Sequence, residues 1–454
     1  MNKKERQHSA RFVAVEVLSA IEQKGAYSNL LLNEKIAQGQ VLKQDSSLLT
    51  QLVYGVLQHK LLLDFFIKHY VKRPNKLENW VRQLLRLSIY QLQQLDQIPD
   101  HAVLHEAVEI AKMKGHRGIS GLVNGVLRNV LRKGVPDPTN IKNKYEQYAV
   151  IYNLPVPLVK KLVQQMGEDR FGKLGKSLEE HPRLSMRVNT KYLNVEEAIA
   201  ALQKEGYKAK PSAVAPAGII GHSGLPTATS LFKAGQLTIQ DESSMLVAEV
   251  LDIKPYHQVL DTCAAPGGKT THIAQFLAEE KSGQVTALDI HAHKVDLIRD
   301  QAKRMHLEHL VTARQADSTK LSEYLDPDQQ FDRVLVDAPC SGLGLIRRKP
   351  EIRYRKTLRE IKALQNIQQN ILTSAAPFVK LGGNLIYSTC TILDEENKAT
   401  IQKFLGRHPG FVVDEIQNPA LEKLVTAPGT IKLYPQDFGT DGFFIQKLKK
   451  VSDE

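Results

Sequence analysis

Cysteine is scarce in this chain: Cys263, Cys340 and Cys390 are the three among 454 residues. An odd, sparse set offers no disulfide framework, and without a Cys-x-x-Cys pair or a Cys/His cluster there is no zinc spacing, so no metal is expected. Long apolar runs are missing as well. None reaches the roughly 18 residues a membrane span requires. The opening Met1-Asn2-Lys3-Lys4-Glu5-Arg6 passes straight into an amphipathic helical pattern with no signal-peptide core. These absences lead to the expectation of a cytoplasmic protein with no membrane partner. No repeat or low-complexity segment is present.

Basic residues are plentiful. Lys and Arg number 61 against 49 Asp and Glu, a formal charge of +12, which favours a polyanionic partner such as nucleic acid. The length exceeds what one core organises, so two or three domains are expected. Apolar stripes at helical spacing (Val13, Ala14, Val17, Leu18 and Ile21; Leu49, Leu52, Val53 and Val56; Leu84, Leu85, Ile89 and Tyr90) fill the first third. Breakers at Pro74, Pro99, Gly115 and Gly134 separate them. An all-helical domain over 1–140 is predicted. Its Ala10-Arg11 helix start, Tyr27-Ser28-Asn29 turn and Val123–Asn129 run resemble the NusB fold, an RNA-binding helical bundle. Lys3, Lys4, Arg6, Arg11, Arg128 and Arg132 are then candidates for phosphate contacts.

Residues 141–230 read as a helical connector plus a small α/β module resembling an RNA-recognition domain. Strands are expected at Ser185–Asn189 and Val214–Ile220, and Arg183, Arg187 and Lys191 form its basic flanks. Over 231–450, strands and helices alternate in the pattern of a doubly wound parallel sheet. Its first strand runs into Asp261-Thr262-Cys263-Ala264-Ala265-Pro266-Gly267-Gly268-Lys269-Thr270, a small-residue turn opening a helix, where backbone N–H groups and a positive helix end favour a nucleotide-like ligand.

Three ligands compete for that turn. A phosphate loop requires glycine where Cys263 stands, which weakens it although Gly268-Lys269-Thr270 fits the tail. A dinucleotide site requires Gly-x-Gly-x-x-Gly, which is absent. An S-adenosylmethionine site requires a small-residue turn followed by acidic residues at successive strand ends, and Asp289, Asp317 and Asp337 stand there. Asp289, about 20 residues past the turn, suits the ribose hydroxyls.

The turn, together with Asp337-Ala338-Pro339-Cys340-Ser341-Gly342, Ser388-Thr389-Cys390, Ile239–Ser244 and Asp441-Gly442-Phe443-Phe444, resembles the motif series of Sun-type (Nop/Sun family) RNA cytosine-5 methyltransferases. The resemblance spans nearly the whole chain. It implies a Rossmann-like class I methyltransferase domain behind a NusB-like domain, S-adenosyl-L-methionine as cofactor, and 16S ribosomal RNA as substrate. It further implies cofactor contacts at Cys263, Ala264, Ala265, Pro266, Gly267, Gly268, Lys269, Asp289, Asp317 and Asp337.

Carbon-5 of cytosine is a poor nucleophile until a thiolate adds at carbon-6, so the chemistry is covalent catalysis. Both Cys340 and Cys390 stand at strand ends, and the residues alone do not rank them. The resemblance assigns Cys390 as nucleophile and Cys340 to product release, with Asp337 on the cytosine edge and Lys269 beside the thiolate. Cys263 is read as inert within the turn. The Arg347–Lys356 segment is expected to contact RNA phosphates and stack a base. Transfer RNA as the substrate, a non-catalytic RNA-binding scaffold and a phosphate-loop NTPase are the competing readings.

Overall fold

The structure is a computed structural model and describes residues 6–222 and 226–453; Lys3 and Lys4 lie outside the described residues. The chain forms two compact units, Met1–Glu179 with Ile346–Arg355, and Glu180–Leu345 with Lys356–Glu454. No helix among the described residues is long and apolar enough to cross a membrane.

The first unit is helical: α1 (Ala10–Lys24), α2 (Ser28–Ala37), α3 (Ser46–Gln58), α4 (Lys60–Tyr70), α5 (Asn79–Gln94), α6 (Asp100–Lys114), α7 (Arg117–Lys133), α8 (Lys144–Ile151), α9 (Val156–Met166) and α10 (Glu168–Ser177). Helix α1 shows why the boundaries fall where they do. The Ser9 hydroxyl accepts from Phe12 N–H at the start, and Gly25 closes the end in the left-handed region, its N–H returning to Ile21. The stripe read from the sequence is its buried face: Val13, Ala14, Val17 and Leu18 join Leu49, Leu52, Val53, Leu84, Leu85 and Ile89 in one core. Each valine, leucine or isoleucine among them contributes about 1.5–3 kcal/mol through burial.

Arg86 lies within this core, 2% exposed. It makes a two-pronged pair with Asp64, with both N–O distances 2.7 Å, and meets Glu22 at 2.5 Å. Two further basic residues are also engaged internally rather than offered to RNA. Arg6 pairs with Glu106 and Glu109, and Arg11 donates to Gln91 at 2.7 Å. Arg128 and Arg132 do lie on an exposed helix face, where they donate to Asn124 and Asn129.

The segment Ile346–Arg355 corrects the expectation of an RNA-facing loop. Arg353 is 1% exposed and donates to the carbonyls of Gln58, Tyr152 and Leu178. Those carbonyls stand at the C-terminal ends of α3, α8 and α10, where helices present unpaired acceptors and the negative end of their dipoles. Glu351 accepts from Ser28 N–H and Oγ, and Tyr354 donates to the Leu57 carbonyl. Lys349 and Arg355 lie over the Tyr27 ring.

The second unit opens with a four-stranded antiparallel sheet of β1 (Leu184–Val188), β2 (Ala209–Pro211), β3 (Gly218–Gly221) and β4 (Leu237–Ile239), ordered β2-β3-β1-β4, with α11 (Val195–Lys204) between β1 and β2. The strand expected from Val214 begins only at Gly218. The Ser212 hydroxyl captures the N–H groups of Val214 and Ala215 and turns the chain there.

The larger sheet follows: α12 (Glu242–Leu251), β5 (Gln258–Asp261), α13 (Gly268–Phe276), β6 (Gln284–Asp289), α14 (Ala292–Arg304), β7 (Val311–Gln315), β8 (Phe331–Asp337), α15 (Leu358–Ala375), β9 (Val379–Thr389), α16 (Lys398–Leu405), β10 (Phe411–Val413), β11 (Val425–Ala427), β12 (Thr430–Leu433) and β13 (Phe443–Lys450). Strands β9-β8-β5-β6-β7 are parallel, while β13, β12 and β11 extend the sheet antiparallel from β9. Side chains alternate between two cores. Val259, Val285, Leu335 and Ile386 face one, and Leu260, Leu288, Val334 and Leu385 face the other. The strand order reverses between β5 and β8, and open α/β sheets bind ligands at such a reversal, beyond the carboxyl ends of the strands.

Candidate active site

At that reversal β5 ends on Asp261, and the chain turns to enter α13 at Gly268. Gly267 has φ +99°, a conformation that favours glycine, and a Cβ there would sit tightly, 3.2 Å from Ile298 Cα. Thr262 N–H donates to the Leu335 carbonyl at 3.0 Å and Ala264 N–H to Leu288 at 2.8 Å, which ties the turn to β8 and β6. The Ser318 hydroxyl reaches the Thr262 carbonyl from beyond β7. Asp261 is buried and accepts from the Thr270 hydroxyl at 2.7 Å; burial, more than any neighbour, pushes its carboxyl up to about 7. It braces the strand against the helix.

The other carboxylates line the same edge. Asp289 ends β6 and accepts from His291 N–H at 3.0 Å. Asp317, just past β7, accepts from Thr319 N–H and Oγ1, and these bonds hold it below the usual carboxylate range. Ala316 N–H to the Asp289 carbonyl, 3.1 Å, joins the two strand ends. Small side chains at Ala264, Ala265 and Gly267, the first-turn N–H groups of α13 and the Asp289 carboxylate make a donor and acceptor set that fits a nucleoside with an amino-acid tail. Pro266 is exposed, and burial is the chief cause that pushes the Cys263 thiol up.

Strands β8 and β9 supply the reactive groups. Asp337 Oδ2 lies 2.7 Å from Lys269 Nζ, and Asp337 Oδ1 accepts from the Ser388 hydroxyl at 2.7 Å. Burial opposes the Lys269 charge, yet the Asp337 carboxylate, the largest of its raising neighbours, holds its pKa above the ordinary value. Lys269 also sits 5.1 Å from the centre of the Phe443 ring. Cys340 Sγ and Cys390 Sγ are 3.3 Å apart. The Cys340 thiol is pushed up, first by that contact, then by burial and by the charges of Cys390 and Glu396. The structure thus brings Cys340, Cys390, Asp337 and Lys269 to one edge, with the turn beside them.

Two glycines allow this closeness. Gly344 N–H donates to the Cys390 carbonyl at 2.9 Å, and a Cβ on Gly344 would lie 1.8 Å from the Gly442 carbonyl oxygen. The Asp241 carboxylate caps α12 and also accepts from Asp441 N–H at 3.2 Å, so the Ile239–Ser244 and Asp441–Phe444 motifs meet.

Arg187 is a further correction. It is fully buried rather than RNA-facing, and its guanidinium donates to Gln240, to the Gly268 carbonyl at 2.6 Å and to the Thr271 hydroxyl at 3.0 Å. Burial lowers its pKa to about 9. From β1 it braces the first turn of α13.

Residues 248–449 match the family described as 16S rRNA methyltransferase RsmB/F. The probable ribosomal RNA small subunit methyltransferase B of Bacillus subtilis is 43% identical over 445 residues, 97% of this chain and 99% of that protein. The chain belongs to the RsmB/F family. It is an S-adenosylmethionine-dependent ribosomal RNA methyltransferase. Residues 8–132 match the NusB family, and 154–227 match the RsmF/B-like, ferredoxin-like domain. A solved structure titled PH0851 has 29% identity and a TM-score of 0.81, covering 97% of this chain and 99% of that one. NSun6 from Pyrococcus horikoshii with SFG has 25% identity and a TM-score of 0.57, covering 69% and 99%.

In this RsmB/F-family chain the antiparallel module is therefore ferredoxin-like, the more specific form of the small α/β piece expected from sequence. One residue at the site escaped the sequence reading: Glu396, fully buried behind the two cysteines. Nothing in Asp394-Glu395-Glu396-Asn397 marks its third member as interior.

Proposed function

We propose that this protein methylates carbon-5 of a cytosine in 16S ribosomal RNA, in the cytoplasm, through a covalent bond between Cys390 and the base. The observation that carries the reading is the pair of thiols 3.3 Å apart beside the Lys269–Asp337 ion pair. Cys390 Sγ adds to carbon-6, with the Lys269 ammonium close by. Asp337, held by Lys269 and Ser388, accepts from the cytosine amino group and orients the ring. S-adenosylmethionine supplies the methyl group as a sulfonium. Ala264, Ala265, Gly267, Gly268 and Asp289 would hold the cofactor. Cys340 stays a neutral thiol, gives its proton to Cys390 as the Sγ–C6 bond breaks, and receives the carbon-5 proton in exchange. The target base must leave its stack to reach the thiols, so single-stranded or partly unfolded RNA is the form taken up.

Bisulfite mapping of ribosomal RNA from cells with and without the protein tests the substrate. One 5-methylcytosine lost from 16S RNA is the expected result. A site lost from transfer RNA alone, or none at all, would reject it.

A further inference from the structure

Behind the thiols lies a carboxylate that the mechanism above does not use. Glu396 follows β9 by seven residues and is 0% exposed. Its Oε1 accepts from Ser341 N–H at 2.8 Å and from Gln368 Nε2 at 3.2 Å. Its Oε2 accepts from the Ser341 hydroxyl and from the Thr391 hydroxyl at 3.0 Å. Ser341 directly follows Cys340 and Thr391 directly follows Cys390, so one side chain grips both cysteine-bearing loops. The glutamate is itself gripped. Tyr387 donates to its carbonyl at 2.7 Å, and Gln368, from α15, donates a further bond of 3.0 Å to the carbonyl of Pro339, the residue before Cys340.

We propose that Glu396 is a positioning residue: its carboxylate clasps the loops after β8 and β9 and sets the separation of Cys340 and Cys390. The inference deepens the covalent reading and rests on it for its catalytic consequence. A buried carboxylate is costly unless fully bonded, and four donors meet this one. Burial still leaves its pKa raised, in keeping with a structural rather than solvent-facing role. Cys340 and Cys390 are half-buried residues, whereas Glu396 is wholly enclosed behind them. A displacement of about 1 Å between reacting groups costs on the order of 100-fold in rate, which makes the clasp consequential.

Phenylarsine oxide, which bridges two neighbouring thiols with loss of water, reads the separation without catalysis. In the full-length protein, E396A should bind it about tenfold more weakly and lose at least about tenfold in kcat, while KM for S-adenosylmethionine holds. E396Q keeps an oxygen for Ser341 N–H and should recover most of both. Should E396A fail to fold by circular dichroism, Thr391→Val removes one arm of the clasp and should weaken arsenical binding in the same direction. Unchanged arsenical affinity in folded E396A or Thr391→Val, or an E396Q as impaired as E396A, overturns the proposal. Weakened arsenical binding with full kcat would uphold the clasp and sink the two-cysteine mechanism.

Discussion

Lys269 and Asp337 form a close ion pair, 2.7 Å between Nζ and Oδ2, although they come from different crossovers of the sheet. Lys269 opens the helix after β5, and Asp337 closes β8, the strand next to it. Neighbouring strand ends thus convert a separation of 68 residues into one hydrogen bond.

Breaking that pair should be felt in turnover more than in cofactor binding. Asp337→Asn keeps the shape but leaves Lys269 without its carboxylate, and kcat should fall about 100-fold or more, as for other lost charge-stabilising groups. Single-turnover assays with saturating cofactor check this. A variant with near-normal turnover would remove Asp337 from the chemistry.

Removing each thiol should separate their tasks. Cys390→Ala should abolish transfer and form no adduct, whereas Cys340→Ala should accumulate a protein–RNA species stable in denaturing gels. The opposite pattern would exchange the two roles.

Substituting Gly344 tests how closely the loops must pack. A methyl group there meets the Gly442 carbonyl oxygen at 1.8 Å, so Gly344→Ala should push apart the segments around Cys390 and cost at least about tenfold in kcat. Isothermal titration with S-adenosylhomocysteine should show cofactor-site affinity unchanged.

Acid should weaken the helical unit through Glu22. Burial alone would raise its carboxyl, but Arg86 and Lys60 outweigh that and bring it from 4.5 down to about 2. A depressed carboxylate stabilises the folded form above its unfolded pKa and loses that contribution as pH falls through the folded value. Urea midpoints of the full chain should therefore decline between about pH 4.5 and 2, and E22Q should decline less steeply from a lower starting point.

Arg353→Met should destabilise the chain by about 2–4 kcal/mol, because the Gln58 and Tyr152 carbonyls lose the guanidinium and the Leu178 carbonyl keeps only Gln58. Equilibrium urea unfolding of the full chain is the check, and a midpoint unchanged from wild type would show that the three carbonyl bonds contribute little.

What could be read in advance follows from how local each signal is. Strand β8 and its Asp337 were legible because a buried apolar strand ending in a carboxylate and a small-residue turn is written in contiguous residues. The stripes of α1, α3 and α5 were legible for the same reason, since helical periodicity is local. Arg187, Arg353 and Glu396 were not. Each is a charged residue whose interior position depends on acceptors or donors far away in the chain, such as Gly268 for Arg187 or Leu178 for Arg353. On composition alone such residues look solvent-facing, and a basic run like Arg347–Lys356 looks like a nucleic-acid contact. The late start of β3 was hidden by one hydroxyl, Ser212, whose capture of two N–H groups leaves no periodic trace.

The Ile346–Arg355 segment belongs to the helical unit although it is encoded within the methyltransferase half. Dissecting the gene at the apparent border between the halves would therefore strip the segment of its partners, exposing Ile352 and leaving Glu351 and Arg353 uncompensated. It would equally leave the helix ends near Gln58, Tyr152 and Leu178 without the guanidinium they share. A chimaera that takes one half from a relative keeps these contacts only if the ten residues are exchanged together with the helices.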